Sequence, residues 1–154
     1  MAGKRDQIQM TEGELRDFIE NARTMLIVSN GKDGYPHAMP MWFVNREGCP
    51  HLSTFAKSQK VLNLRRDPRV TALVESGVAY DELKGVMIRG RAEILENRPL
   101  VEEIQLGFAH KYVGGPFPDG AEEVIRARAN KRVAIRIVPE KFISWDHAKL
   151  AGGY

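Results

Sequence analysis

Sulfur chemistry is nearly absent from this sequence. Cys49 is its only cysteine, which excludes an internal disulfide, fits a reducing compartment and, beside the Gly48 turn, reads as an inert surface or edge thiol. No apolar run approaches the roughly 20 residues of a membrane span. The opening residues, Met1-Ala-Gly-Lys-Arg-Asp-Gln7, lack the apolar stretch of about 7 to 15 residues that a signal peptide needs, so a cytoplasmic protein without membrane partners is expected. No Gly-x-Gly-x-x-Gly follows a strand-like segment and no Gly-Lys-Ser or Gly-Lys-Thr occurs, which removes the usual signatures of dinucleotide-binding and nucleotide-hydrolysing sites. The four histidines, His37, His51, His110 and His147, have neither i, i+4 spacing nor cysteine partners, and no metal site is expected. A Gly-x-Ser-x-Gly elbow is missing too, leaving hydrolase chemistry unsupported. With 23 basic and 20 acidic side chains and a net charge of +3, the chain also lacks the dense basic stripe of a nucleic-acid binder.

What is present is enough for one folded unit. A chain of 154 residues can bury about 68 to 70% of its unfolded surface unaided. The domain reading is a single unit over residues 1–154, with an N-terminal helical segment over 1–22 and a C-terminal tail over 139–154. Thr11 and Glu14 form a capping-box pattern before Leu15, Phe18 and Ile19, which predicts a helix over 11–22. Met25–Ser29, the turn residues Asn30–Gly34 and a long extended run from Tyr35 to Val44 predict a hairpin; Asn45–Gly48 and His51–Thr54 predict a second. Strands are predicted over Arg69–Glu75, Val86–Leu95 and Arg132–Val138 by strict alternation, as of Ile88, Gly90, Ala92 and Ile94 against Arg89, Arg91 and Glu93. Asn97 caps a helix carrying Leu100, Ile104, Phe108 and Tyr112 at i+4 steps, and a shorter helix follows the Gly114–Gly120 loop. About six strands in consecutive hairpins with three or four helices predict an α+β fold, its antiparallel sheet closed or nearly closed into a barrel.

The segment from Thr54 to Pro68 carries the strongest chemical signal. Lys57 and Lys60 stand around the start of a short helix, where cations oppose the macrodipole unless an anion lies between them. Unpaired N–H groups there, with Ser58 as cap and hydroxyl donor, suit the phosphate of a cofactor; two solvated lysines are the alternative. That helix must end near Asp67, because Pro68 disfavours helical geometry before it. Upstream, His37-Ala-Met-Pro-Met-Trp-Phe43 offers side chains to wall a planar ring, or plain core. Pro40 lacks an N–H, so this strand is expected at an edge or bulge with locally unpaired backbone.

Gly34-Tyr-Pro-His-Ala-Met-Pro-Met-Trp-Phe43, Ser53-Thr54, Ser58-Gln-Lys-Val-Leu-Asn-Leu-Arg-Arg-Asp-Pro-Arg69 and Gly90-Arg-Ala-Glu-Ile94, in this order and spacing, resemble the pyridoxamine 5′-phosphate oxidase-like split β-barrel superfamily. Within it the sequence is similar to the flavin/deazaflavin oxidoreductases, particularly the branch that uses the deazaflavin coenzyme F420. The likeness covers residues 25–95, and more loosely the C-terminal strand and Ile143-Ser-Trp-Asp-His147. It implies a homodimer with two cofactors across the subunit interface. The phosphate would be held by the turn Ser58, Gln59 and Lys60, the ring would lie on the backbone of Met39, Pro40 and Met41, Thr54 would face the cofactor, and Lys57 and Asn63 complete the expected cofactor-binding set. Tyr80–Lys84 and Trp145–Lys149 of the second subunit would close the site. The implied activity is hydride transfer from reduced F420 to a small conjugated organic acceptor, with no catalytic side chain required because the chemistry is the cofactor's. An FMN-dependent enzyme and a non-catalytic flavin, deazaflavin or haem carrier are the alternatives. Pyridoxamine 5′-phosphate oxidases carry basic residues where this chain has Ala38 and Phe43, and a basic C-terminal segment that Trp145–Tyr154 does not match. Vitamin B6 oxidation is therefore not expected, and a dissociable F420 is favoured over tightly held FMN.

Overall fold

The computed structural model describes residues 3–150. Seven strands, β1 (Met25–Asn30), β2 (Pro36–Met41), β3 (Val44–Arg46), β4 (Cys49–Phe55), β5 (Arg69–Ser76), β6 (Lys84–Leu95) and β7 (Arg132–Asp146), form one sheet in the order β2-β1-β5-β6-β7-β4-β3. Its strand pairings are antiparallel. The two ends of that order, β2 and β3, are consecutive in the chain and joined only by Trp42 and Phe43. So short a link spans at most about 11 Å, and the sheet must curl until its own edges approach each other. The result is an α+β fold built on an antiparallel half-barrel, split between β2 and β3.

Alternation along each strand decides what fills the barrel. On β7, Val133, Ile135 and Ile137 point inward to Met25, Ile27, Leu52 and Ile88, while Ala134 faces the other way. That outer face receives α4 (Arg98–Tyr112), whose Val101, Ile104 and Phe108 pack with Ala134 and Ala129. Helix α3 (Gln59–Arg66) contributes Val61 and Leu64 to the barrel core. Around these lie α1 (Lys4–Gln7), α2 (Glu12–Asn21) and α5 (Ala121–Ala127). The Thr11 hydroxyl accepts from Glu14 N–H at 3.3 Å and the Glu14 carboxylate accepts from Thr11 N–H at 2.7 Å, the reciprocal cap its spacing predicts. Asn97 caps α4 by accepting from Leu100 N–H at 3.0 Å.

Several boundaries differ from the sequence expectation. The run Tyr35–Val44 is two strands interrupted at Trp42-Phe43, which raises the count from six to seven. Strand β7 does not stop at Val138; it passes an irregularity opposite Arg89 and Gly90 and continues to Asp146, so residues 139–146 of the expected tail are sheet. His147–Leu150 is a short 3₁₀ turn, and Met1, Ala2 and residues 151–154 lie outside the described residues. Helix α1 brings the α-helices among the described residues to five. Among the described residues no helix is long and apolar enough to cross a membrane.

Candidate functional site

Strand β4 and α3 meet at a tight corner that converts a sequence pattern into a polar seat. Lys60 sits in the first turn of α3, and its side chain returns to β4, where Nζ donates to Thr54 Oγ1 at 3.2 Å. The Thr54 hydroxyl donates in turn to Ser58 Oγ at 3.4 Å. Lys60 is only 8% exposed. Burial pushes its ammonium below the usual lysine range, and among the described residues no carboxylate pairs with it. A buried cation held by one hydroxyl is poorly compensated, and an anion brought to it would restore the balance. The first-turn N–H groups of α3, at Gln59 and Lys60, have no carbonyl of their own helix to bond and add donors at the same corner.

Ser58 occupies the cap position of α3, but its side chain makes no capping hydrogen bond, contrary to expectation. Its hydroxyl is engaged by Thr54 instead, on the side of Lys60. Gln59 Nε2 donates to Asn63 Oδ1 at 2.9 Å, and Asn63, fully buried, donates through Nδ2 to Ser29 Oγ at 3.2 Å. This relay pins α3 against β1. Thr54, Ser58 and Lys60 are thus brought together, and Gln59 with Asn63 forms a second group one turn along. Lys57, next to Ser58 in the chain, is exposed.

Strand β2 presents Met39, Pro40 and Met41 in regular register with Ile27, Leu26 and Met25 of β1. The expected local unpairing at Pro40 is therefore not a break in the ladder. It is the open outer edge of a terminal strand, where Pro36, Ala38, Met39 and Pro40 are all exposed. Between the β1–β2 turn and the start of α3 runs a cavity of about 520 Å³ lined by Lys32, Tyr35, His37, Gln59 and Asn63. His37 Nδ1 is buried there without a hydrogen-bond partner among the described residues.

Sequence reasoning missed three contributors. Ser29 is one of them; its signal was a hydroxyl in the inward phase of an otherwise apolar strand, Met25-Leu-Ile-Val-Ser29. Gln105, on the helix after Asn97, is buried and donates to Ser53 Oγ at 2.7 Å. Tyr112, read as plain packing, stacks its ring on Trp42 with centroids 4.3 Å apart and 6° between planes. No local signal marks the last two, because both act across the chain. The segments Tyr80–Lys84 and Trp145–Lys149 adjoin each other: Lys84 pairs with Asp146 at 2.8 Å and the His147 ring lies 4.5 Å from that of Tyr80. Among the described residues no group of three His, Cys, Asp or Glu side chains is placed to hold a metal ion.

The family model described as pyridoxamine 5′-phosphate oxidase matches residues 11–146. A conserved hypothetical protein of Mycobacterium tuberculosis has a similar crystal structure, with 41% identity, a TM-score of 0.90 and coverage of 97% of this chain and 93% of that one. An F420 reductase is similar at 22% identity and a TM-score of 0.65, over 86% of this chain and 98% of that one. The haem storage protein of Vibrio cholerae is similar at 15% identity and a TM-score of 0.67, over 88% and 96%. These last two likenesses are likenesses of fold. No curated protein matches the sequence.

Proposed function

The chain belongs to the pyridoxamine 5′-phosphate oxidase family, and from that premise we propose that it is an F420-dependent oxidoreductase acting on a small conjugated organic acceptor. One observation carries the proposal: the buried ammonium of Lys60, held among the described residues by Thr54 alone, at the start of a helix whose Gln59 and Asn63 share a cavity with His37 of the terminal strand β2. Lys60, the Thr54 and Ser58 hydroxyls and the first-turn N–H groups of α3 would hold the coenzyme's phosphate. The backbone of Met39, Pro40 and Met41, on the terminal strand, would face its ring. When bound, the reduced deazaflavin supplies a hydride with its electron pair, and solvent supplies the proton. The protein's part is to fix the ring and exclude water. That an F420 reductase shares the fold supports this choice of coenzyme.

The seat is one-sided. Met39, Phe55 and Leu62 are large apolar side chains left exposed around it, and a second copy of the chain covers them in a homodimer. The single buried thiol, Cys49, accords with a reducing cytoplasm.

A second reading, FMN in the same seat, has one observation in its favour. Lys111 Nζ lies 3.8 Å from the centre of the Phe43 ring and donates to the Phe43 carbonyl, so α4 brings a cation to the end of the strand where the sequence has none. Fluorescence titration of the purified protein with F420 and, separately, with FMN decides between them. Micromolar or tighter binding of F420 alone supports the proposal, and binding of FMN alone replaces it with the flavoenzyme.

A further inference from the structure

Between the Trp42 end of β2 and the turn after α5 lies a cleft of about 350 Å³, separate from the phosphate corner. Met41, Trp42, Phe108 and Val113 give it an apolar wall, and the Gln105–Ser53 hydrogen bond a neutral polar floor. Arg128 and Arg132 also line it, and among the described residues neither has a carboxylate partner. The Arg132 guanidinium lies 4.2 Å from the centre of the Phe55 ring, a stack that orients the group while leaving its N–H edges free. The turn that delivers it is held too: Lys131 adopts φ +59°, and its carbonyl accepts from Ala56 N–H at 3.0 Å. Two guanidinium groups facing one partly enclosed space repel each other unless an anion sits between them.

We propose that this cleft seats the acceptor and that the acceptor is a planar conjugated carboxylate. Its charge is taken by Arg128 and Arg132, and its apolar body lies against Trp42 and Phe108. The proposal rests on the oxidoreductase reading, since Pro40 and Met41 belong both to this cleft and to the strand assigned to the coenzyme ring. The cleft is of the size that takes small ligands, and its neutral floor offers hydrogen bonds without a competing charge.

Calorimetric titration of the full chain with cinnamate and with cinnamamide, which has the same body without the charge, tests it with and without F420 present. Cinnamate is expected to bind about tenfold or more tighter than cinnamamide, the increment of a charge-assisted pair. The double variant Arg128→Gln/Arg132→Gln is expected to lose that preference, and Arg128→Lys/Arg132→Lys to keep part of it. Circular dichroism confirms the fold of each variant, and Arg128→Gln alone, at an exposed position, gives a partial loss in a chain that folds normally. Equal affinity for the two probes, or binding of neither, overturns the proposal even where F420 binds. Selective cinnamate binding in a chain that binds no F420 keeps the anion cleft and removes the F420 reading.

Discussion

The Tyr112 hydroxyl accepts from Phe43 N–H at 3.0 Å and donates to the Phe43 carbonyl at 3.0 Å. One phenol of α4 thereby satisfies both main-chain groups of a fully buried residue at the split of the barrel, where no strand is available to do so. Burial raises the Tyr112 pKa, which keeps the hydroxyl protonated and able to donate. Tyr112→Phe is expected to cost about 1 to 3 kcal/mol, because the Phe43 N–H is left buried and unpaired while the ring stack on Trp42 survives. Urea denaturation measures this; a change below about 0.5 kcal/mol would mean that water replaces the phenol.

Lys60→Ala is expected to weaken F420 binding by about 1.5 to 3 kcal/mol, roughly ten- to a hundredfold, through loss of a charge-assisted contact. Lys60→Met adds a sharper contrast. It removes a desolvated cation without removing an ion pair, so the apo-protein should be as stable as wild type or more so while coenzyme binding is lost. A large fall in apo stability would make Lys60 a structural residue.

His51 predicts how the fold responds to acid. Its buried ring donates from Nδ1 to the Cys49 carbonyl at 2.9 Å. Burial, with Arg46 and Arg136 adding to it, holds its pKa below the ordinary 6.5. The unfolded chain therefore takes up a proton near pH 6.5 that the folded chain resists. This contribution to stability is complete above that pH and is lost as the pH falls from it toward the lowered folded value. Thermal melts between pH 7.5 and 5 should decline, and His51→Gln should flatten the decline; an unchanged slope would exclude His51 as its source.

Size-exclusion chromatography with light scattering should give twice the chain mass of 17.4 kDa. Leu62→Glu, on the exposed side of α3 beside the seat, should shift the mass toward the single chain and weaken coenzyme binding with it. A wild-type monomer that binds F420 fully would remove the second copy from the site.

Gly90→Ala should be among the more damaging single-methyl changes. At the irregularity between β6 and β7 the added carbon would fall inside contact distance of the Val138 carbonyl oxygen, which is backbone and cannot swing away. A loss of about 1 to 3 kcal/mol in denaturant melts is expected from such overpacking.

Much of this was readable in advance because the signals were local. The reciprocal Thr11–Glu14 cap, the Asn97 cap and the alternation of Ile88, Gly90 and Ala92 against Arg89 and Arg91 each need only neighbouring residues to be interpreted. The corner Thr54–Ser58–Lys60 was legible for the same reason, and the structure places all three within one short hydrogen-bonded chain. What could not be read was closure. Nothing near Trp42 and Phe43 announces that the strand stops there, because the residues that satisfy Phe43 arrive from α4 some seventy positions later. The length of β7 escaped for a related reason: Pro139 ends a local strand pattern, but an irregular pairing with β6 carries the strand past it. Arg128 falls at the end of a short helix and Arg132 at the start of a strand, and only the packing of the turn between them against the end of β4 brings both to one cleft.

The open edge of β2 bears on how the protein survives in a crowded solution. A bare strand flanked by exposed Met39 and Trp42 is the sort of surface on which another chain can add a strand and begin edge-to-edge aggregation. Pro36 and Pro40 remove main-chain donors along β2, and the opposite edge, β3, is only three residues long. Neither edge offers an uninterrupted ladder to an incoming strand. The prolines thus act as gatekeepers, and replacing both with valine would leave the barrel a template for its own fibrils.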